Sequence, residues 1–562
     1  MNMFGVISKK IASDESDKIG KVLVYIYLLL FFCFLILPLI ALMSKSMQNA
    51  DGEFIGLANF AAYLKEPALF SSFFNSLFVA VISTIIVVIL GFLYAFALQC
   101  TCIPLKGFFR LIALVPLLSP SILAAIALVY WFGNQGVLKS MLMGNSIYGP
   151  IGIIMASVYW TFPHALMILS TSLSLSDGRL YEASEVLKAS KLKTFLTVTV
   201  PGAKYGIIST TFVVFTQVFT DFGVPKVIGG NYNVLATDIY REVVGMQNFQ
   251  MGAVISIVLL IPALLAFAMD QYFRKKQTAQ LTSRAVVYSP KPDKLRDTIL
   301  LIYCLIITVY VVMMIGMAQF GALVKFWPYN LSLTLEHYNF EVAGLGWNSF
   351  FNSIRMSLYT AFFGTIIIFI GSYIIEKMRS DKKMRDVLQL IALMPMAIPG
   401  IVLGLSYIFF FNMADNPLNF MYATMSILVV NTVVHFYTVS HLSSITAIKK
   451  LDPEFESVSL SLKVPVYKMF VRVTLPVCLP TVFDIFIYLF CNAMTTVSGV
   501  IFLYSYNTTL ASVSSIHLDE QGDVAGAAAM AMLIVYISFL VRGIHSLISV
   551  AVLKRTQAWR NI

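Results

Sequence analysis

Apolar residues fall along this chain in long stretches separated by short polar connections. A helix needs about 20 apolar residues to cross the hydrocarbon of a bilayer. Twelve stretches reach that length, approximately 21–43, 72–99, 111–131, 148–170, 205–225, 250–272, 298–320, 352–375, 387–412, 420–443, 477–501 and 525–550. The first follows Lys9, Lys10, Lys18 and Lys21 and so resembles a leader peptide. Its apolar core outruns the roughly 7–15 residues of a leader, and it reads as a retained first helix. The pattern predicts an all-α, polytopic membrane protein of about 12 spans.

Composition agrees with lipid as the main solvent. Hydrophobic residues make up 59% of the chain and charged residues 12%. A soluble domain runs near about 45–50% and 25%. A disordered chain and an ordinary multidomain soluble enzyme are excluded. The six cysteines lie in or beside apolar runs without metal-ligand spacing and read as core filler. The net charge of +11 would point to nucleic acid on a soluble protein. Here it records orientation. Lys and Arg cluster in the even-numbered connections, at 179–204, 274–296, 377–385 and 449–472. The positive-inside rule then places those connections and both termini in the cytoplasm.

The chain also contains itself twice. IALVPLLSP at 112–120 recurs as IALMPMAIP at 391–399, Asn75-Ser76 recurs as Asn352-Ser353, and Pro201 recurs as Pro476. The expected organisation is a first six-helix domain over 1–280, a cytoplasmic linker over 281–297 with Pro290 and Pro292, and a second domain over 298–562. An even number of helices per copy makes the repeat parallel. Pro116/Pro120 and Pro395/Pro399 should kink their helices. Kinks of this kind are tolerated where neighbouring helices cover the freed backbone, which puts those helices in the bundle interior.

The connection before the fifth span of each half carries the sharpest motif. It reads YEASEVLKASKLKTFLTVTVPGAK over 181–204 and FESVSLSLKVPVYKMFVRVTLPVCLP over 455–480. Aligning Pro201 with Pro476 also matches Lys188 with Lys463 and Phe195 with Phe470. Each copy predicts a short amphipathic helix, a turn and a second helix leading into the membrane. Such a helix can lie on headgroups or dock in a groove of a soluble partner. Two copies in equivalent places favour a pair of identical partners.

These residues resemble the EAA coupling loop of ABC importer permeases. Glu182, Ala183, Ser184 and Pro201 match in the first copy. In the second, Pro476 matches, while Ser457 stands in the glutamate register and Glu456 one residue earlier. Lys188 and Lys463 stand where the pattern has glycine, which leaves the geometry of the inter-helix turn open. The resemblance implies coupling loops over 178–201 and 453–476, each seated in one of two copies of an ATPase subunit. It implies a separate extracytoplasmic substrate-binding protein and a bacterial inner membrane. The chain has no GxxxxGK[ST] phosphate loop. It is therefore read as a non-enzyme without cofactor of its own, ATP and Mg belonging to the partner subunits. The resemblance covers nearly the whole chain and is to fused twelve-helix permeases. The stretches 219–253 and 495–530 are most similar to the 2-aminoethylphosphonate branch and next to the ferric iron branch, with thiamine or another small anion as further options.

Polar groups in lipid are costly and usually face a cavity or a partner. His164, Gln217, Asp221, Asn431, His435, Asp484, Asn492 and Thr496 are the polar candidates within spans, and Arg355 is the single Arg in the outer half of one. The fifth and eleventh spans follow the coupling loops directly and are the expected pathway lining. For His164 and His435 the competing reading is packing, and for Asp484 a helix–helix hydrogen bond. The rival to the importer is a secondary transporter of the twelve-helix parallel-repeat type. That class leaves the paired loops unexplained, and 100–110 lacks its Gly-Asp-Arg-type signature.

Overall fold

The computed structural model describes residues 20–280, 286, 288–341, 346–377, 382–452, 454–462 and 464–556. Among these, eight helices are long and apolar enough to cross a membrane. Four further pairs pass the same test together but are bent, which gives twelve spans if each pair is one. The sharpest breaks are Lys106–Leu118 to Ser121–Phe132, at 101°, and Lys382–Ala397 to Gly400–Phe411, at 110°. The paired prolines cause both. Pro116 and Pro395 lie in tight 3-10 turns, and Pro120 and Pro399 stand extended just before the next helix. Two missing N–H donors four residues apart end one helix and start another, where one would only bend it. The helices that follow are buried along nearly their whole length, as the interior placement required.

The chain packs into two compact units, and they do not follow chain order. Among the described residues, one unit holds the first helix up to Lys45 together with Asn348–Ala511 and the chain from Tyr536. The other holds Ser46–Trp347 and Ser512–Val535. The 280/298 boundary is thus a boundary of sequence, and the packing departs from it by exchanging the first helix of each repeat and by placing Ser512–Val535 of the second repeat with the first. Tyr27, on the first helix, donates to the Ile367 carbonyl at 2.7 Å within one unit. Tyr303, at the equivalent place on Lys294–Leu323, donates to the Leu90 carbonyl at 2.7 Å within the other. A short antiparallel hairpin, Val324–Phe326 with Asn330–Leu333, follows that helix.

Within each unit the second span of a repeat is a central packing element. It carries small residues at matching places: Ser72, Ser76 and Ala80 on Pro67–Cys100, and Ser349, Ser353 and Ser357 on Asn348–Lys377, all buried. Lipid tails are as apolar as leucine, so membrane helices associate through close packing, and small side chains permit the approach. The repeated Asn-Ser dipeptides do matching work. Asn75 donates to the Asn233 carbonyl at 3.0 Å, and Ser76 Oγ accepts from Leu235 N–H at 2.9 Å. Asn352 donates to the Asn507 carbonyl at 2.9 Å, and Ser353 Oγ accepts from Ala511 N–H at 2.8 Å. Each dipeptide pins the loop beyond the fifth span of its own repeat.

Candidate functional site

The two connections 178–201 and 453–476 are built alike up to their ends, where the first breaks by 63° before Lys204–Phe219 and the second runs on within one helix, Val466–Thr495. Asp177 caps Gly178–Val186 by accepting from Arg179 N–H at 3.1 Å, and Asp452 accepts from Glu454 N–H at 2.9 Å ahead of Glu454–Ser461. The Arg179 guanidinium also bonds Asp177 and holds its carboxyl below the usual range. The first helix ends at Lys188, whose φ of 52° is left-handed. Ala189 N–H donates to the Ser184 carbonyl at 3.0 Å and Lys188 N–H to the Glu185 carbonyl at 2.9 Å. These bonds make a Schellman end, for which glycine is the usual residue. The turn geometry left open by the sequence is thus the one glycine favours, adopted by lysine. In the second loop Val464 N–H donates to the Ser459 carbonyl at 2.9 Å, the matching bond. Lys463 and Pro453 lie outside the described residues.

A second short helix follows in each copy, Lys191–Thr194 and Val466–Met469, and then a wide turn. Val200 N–H donates to the Phe195 carbonyl and Leu475 N–H to the Phe470 carbonyl, five residues back instead of four. Pro201 and Pro476 explain the widening. Each lacks an N–H, and its ring crowds the preceding turn. The wide turns aim Phe195 and Phe470 at the second span. Phe195 meets Phe92 and Phe96, with ring centroids 5.9 and 5.2 Å away. Phe470 meets Phe369 and Tyr373, at 5.9 and 4.7 Å. Edge and tilted contacts of this kind are worth about 0.5–1.5 kcal/mol each. They clasp each coupling loop to the central helix of its unit.

The outward faces are apolar. Val186 and Leu187 are 81% and 80% exposed, and Leu180 and Leu192 are exposed beside them. Phe455, Val458 and Leu462 are exposed on the second loop. Glu182 and Ala183 are exposed as well, whereas Ser184 is buried and its hydroxyl meets Thr194 Oγ1 at 2.5 Å. Ser457 is exposed, and Glu456 forms an ion pair with Lys377. Pro201 and Pro476 are exposed at the ends of their wide turns. Exposed apolar side chains rimmed by charge mark a surface for contact with another protein or with the membrane.

The pathway candidates fall into equivalent pairs and singletons. Gln217 and Asn492 occupy the same register of the fifth and eleventh spans, as do Asp221 and Thr496. Gln217 keeps a buried, unpartnered carbonyl oxygen, and Asn492 donates to the Tyr488 carbonyl at 2.7 Å. Asp221 accepts from Val224 N–H at 3.0 Å and faces Ser121 Oγ at 3.4 Å, so it braces the bend after its helix. Asn431 donates to the Gly499 carbonyl at 2.7 Å. His435 lies against Gly400 in the same crossing, and a Cβ on Gly499 would stand 3.8 Å from Thr496 Oγ1. His164 packs against Trp160, at a ring distance of 6.0 Å. The Nδ1 atoms of both histidines are buried. Asp484 lies 3.2 Å from His545 Nε2 across two helices without the hydrogen-bond geometry expected of it, and Ser209 bonded to Asp270 holds the equivalent place in the first repeat. Arg355 is exposed on Asn348–Lys377. Among the described residues no three His, Cys, Asp or Glu side chains are grouped to hold a metal ion.

Beyond the fifth span lies an ion pair that no motif in the sequence announces. Lys226, in Gly223–Ile228, bonds Glu520 at 2.6 Å and lies 4.6 Å over the Tyr240 ring. The two residues belong to the stretches 219–253 and 495–530, singled out for their resemblance alone. Nothing in either stretch marks the other as its partner, since the contact joins opposite halves of the sequence.

The sequence model of one protein family, described as "Binding-protein-dependent transport system inner membrane component", matches residues 103–278 and again 364–554. The ferric transport system permease protein FbpB of Actinobacillus pleuropneumoniae is 27% identical over 551 residues, 94% of this chain and 78% of that protein. A putative ferric transport system permease protein, FbpB 1 of Haemophilus influenzae, is 27% identical over 521 residues, 89% of this chain and 80% of that protein. The spermidine/putrescine transport system permease protein PotC homolog of Mycoplasma genitalium is 28% identical over 266 residues, which cover 92% of that protein and 45% of this chain.

Proposed function

The chain belongs to the family of binding-protein-dependent transport system inner membrane components, matched twice along its length, and from that premise we propose that it is both permease halves of an ATP-driven importer in one polypeptide. A binding protein delivers substrate at the outer face. Two ATPase subunits, which bind ATP and Mg, dock on 178–201 and 453–476 beneath the membrane, with both termini on that side. The observation that carries the reading is the pair of coupling loops, alike in cap, helix, wide turn and aromatic clasp, each presenting exposed apolar side chains. ATP-driven closure of the motor draws the loops together. Phe195 and Phe470 pass that motion to the second spans, and the pathway alternates between outward and inward access.

Co-purification with the ATPase from a neighbouring gene tests the reading. Leu187→Asp puts a charge into the covered surface and should lower the ATPase retained per permease by about tenfold, in line with the loss of a buried apolar anchor. Full retention would count against docking at this loop.

Relatives that run along nearly the whole chain carry the name of ferric transport permeases. They support ferric ion as the cargo, ahead of the 2-aminoethylphosphonate that the sequence resemblance put first. The cognate binding protein decides between them. Retention of ferric ion supports the assignment, and retention of a phosphonate overturns it while leaving the importer intact.

A further inference from the structure

The segment between the two repeats reads in sequence as a tether. Its described part, Val286 and 288–293, instead lies along the first coupling loop. Gly178 N–H, at the start of the coupling helix, donates to the Val286 carbonyl at 2.8 Å. Tyr288 stacks on Tyr181, with centroids 3.9 Å apart and planes 24° from parallel. Lys291 Nζ reaches both carboxylate oxygens of Glu185, at 2.8 and 2.6 Å. Asp293 pairs with Lys191 on the second short helix. Gly178 makes room for the strap, since a Cβ there would stand 3.3 Å from Tyr288 Cα and from the Val286 carbonyl oxygen.

The strap leads directly into a span. Asp293 also caps Lys294–Leu323 by accepting from Arg296 N–H at 3.4 Å. One carboxylate thus joins the coupling loop to the first helix of the second repeat. The segment in the strap's register ahead of the first helix, 10–17, lies outside the described residues. Glu456, in the register of Tyr181, pairs with Lys377 at the end of Asn348–Lys377, within its own repeat. Lys291 and Glu185 are 75% and 60% exposed, and exposed pairs are weak. The stack and the backbone bond therefore carry the attachment, while the ion pairs fix its register.

We infer that Tyr288, Lys291 and Asp293 are positioning residues of the first coupling site, so that the ATPase docked there also drives Lys294–Leu323 through the strap. The inference rests on the importer reading above.

The test uses the full complex of permease, ATPase and binding protein in lipid discs, with substrate-stimulated ATP hydrolysis and ATPase retention both measured. Tyr288→Ala should lower stimulated kcat about fivefold, the equivalent of one lost aromatic stack, with KM for ATP unchanged. Tyr288→Phe keeps the stack and should stay near the parent. Lys291→Glu should also lose stimulation, and Glu185→Lys in the same chain should restore most of it. The inference is overturned if Tyr288→Ala matches the parent at equal ATPase retention, or if the charge exchange restores nothing. A parent complex without stimulated hydrolysis would instead overturn the importer reading, and this inference with it.

Discussion

Lys188 shows what a single residue does against its own preference. A left-handed φ costs a side-chain-bearing residue about 1 kcal/mol relative to glycine, yet the turn holds because its two backbone bonds need that geometry. Lys188→Gly should therefore raise the thermal unfolding midpoint slightly, by the equivalent of about 0.5–1 kcal/mol, and leave substrate-stimulated hydrolysis intact. A fall in the midpoint would mean that the lysine side chain itself holds the loop. The turn was not legible in the sequence, because lysine is the wrong residue for it; only the shared departure at Lys188 and Lys463 marked the place. A second residue-scale feature was equally hidden. A Cβ on Gly223 would stand 2.6 Å from Ser121 Oγ, and in the other repeat a Cβ on Gly400 would stand 2.6 Å from Ser498 Oγ. Glycine and serine have traded places across the same contact, which an alignment of the two halves reads as two mismatches.

At the scale of elements, the prolines and the coupling helices were legible and the pair beyond the fifth span was not. Apolar length located the eight long helices and the four bent pairs, but it could not separate a bend from a break. That difference comes from two prolines acting on one short segment, at Pro116 with Pro120 and Pro395 with Pro399. The Lys226–Glu520 contact joins residues from opposite halves of the sequence, and no local pattern announces it. Its neighbour Asp519 gives it a pH dependence. Burial, helped by the adjacent Glu520 charge, pushes the Asp519 carboxyl up to about 6, with Lys226 opposing; Tyr130 and Tyr148 also face it. Glu520 is held below its ordinary value, by His517 first and also by Lys226. A carboxyl raised in the folded state stabilises most when protonated. Its contribution is complete below the ordinary value of 3.8 and is lost as pH rises through about 6. Asp519→Asn should flatten that dependence and stabilise the protein at pH 8 by at most about 3 kcal/mol. Melting curves of the two proteins that run parallel between pH 5 and 8 would remove Asp519 as the titrating group.

For the molecule as a whole, the duplication could be read from matched prolines, asparagines and coupling loops, whereas the exchange of first helices could not. A hydrophobic run states that it enters lipid and says nothing of which helices receive it. Tyr27 and Tyr303 each bond a carbonyl on a second span from the other repeat. A chain cut within 281–285 should therefore yield two fragments that are degraded when made singly and accumulate as a pair when made together. Stable accumulation of either fragment alone would argue against the exchange. The same two tyrosines set a schedule for synthesis. Tyr27 and its acceptor are 340 residues apart, and ribosomes add about 5–20 residues per second. The first helix thus enters the bilayer about 20 to 70 seconds before its partner exists. During that interval its lipid-facing surface and its future contact surface are indistinguishable to the membrane, and the cell's quality control must leave an orphan helix alone.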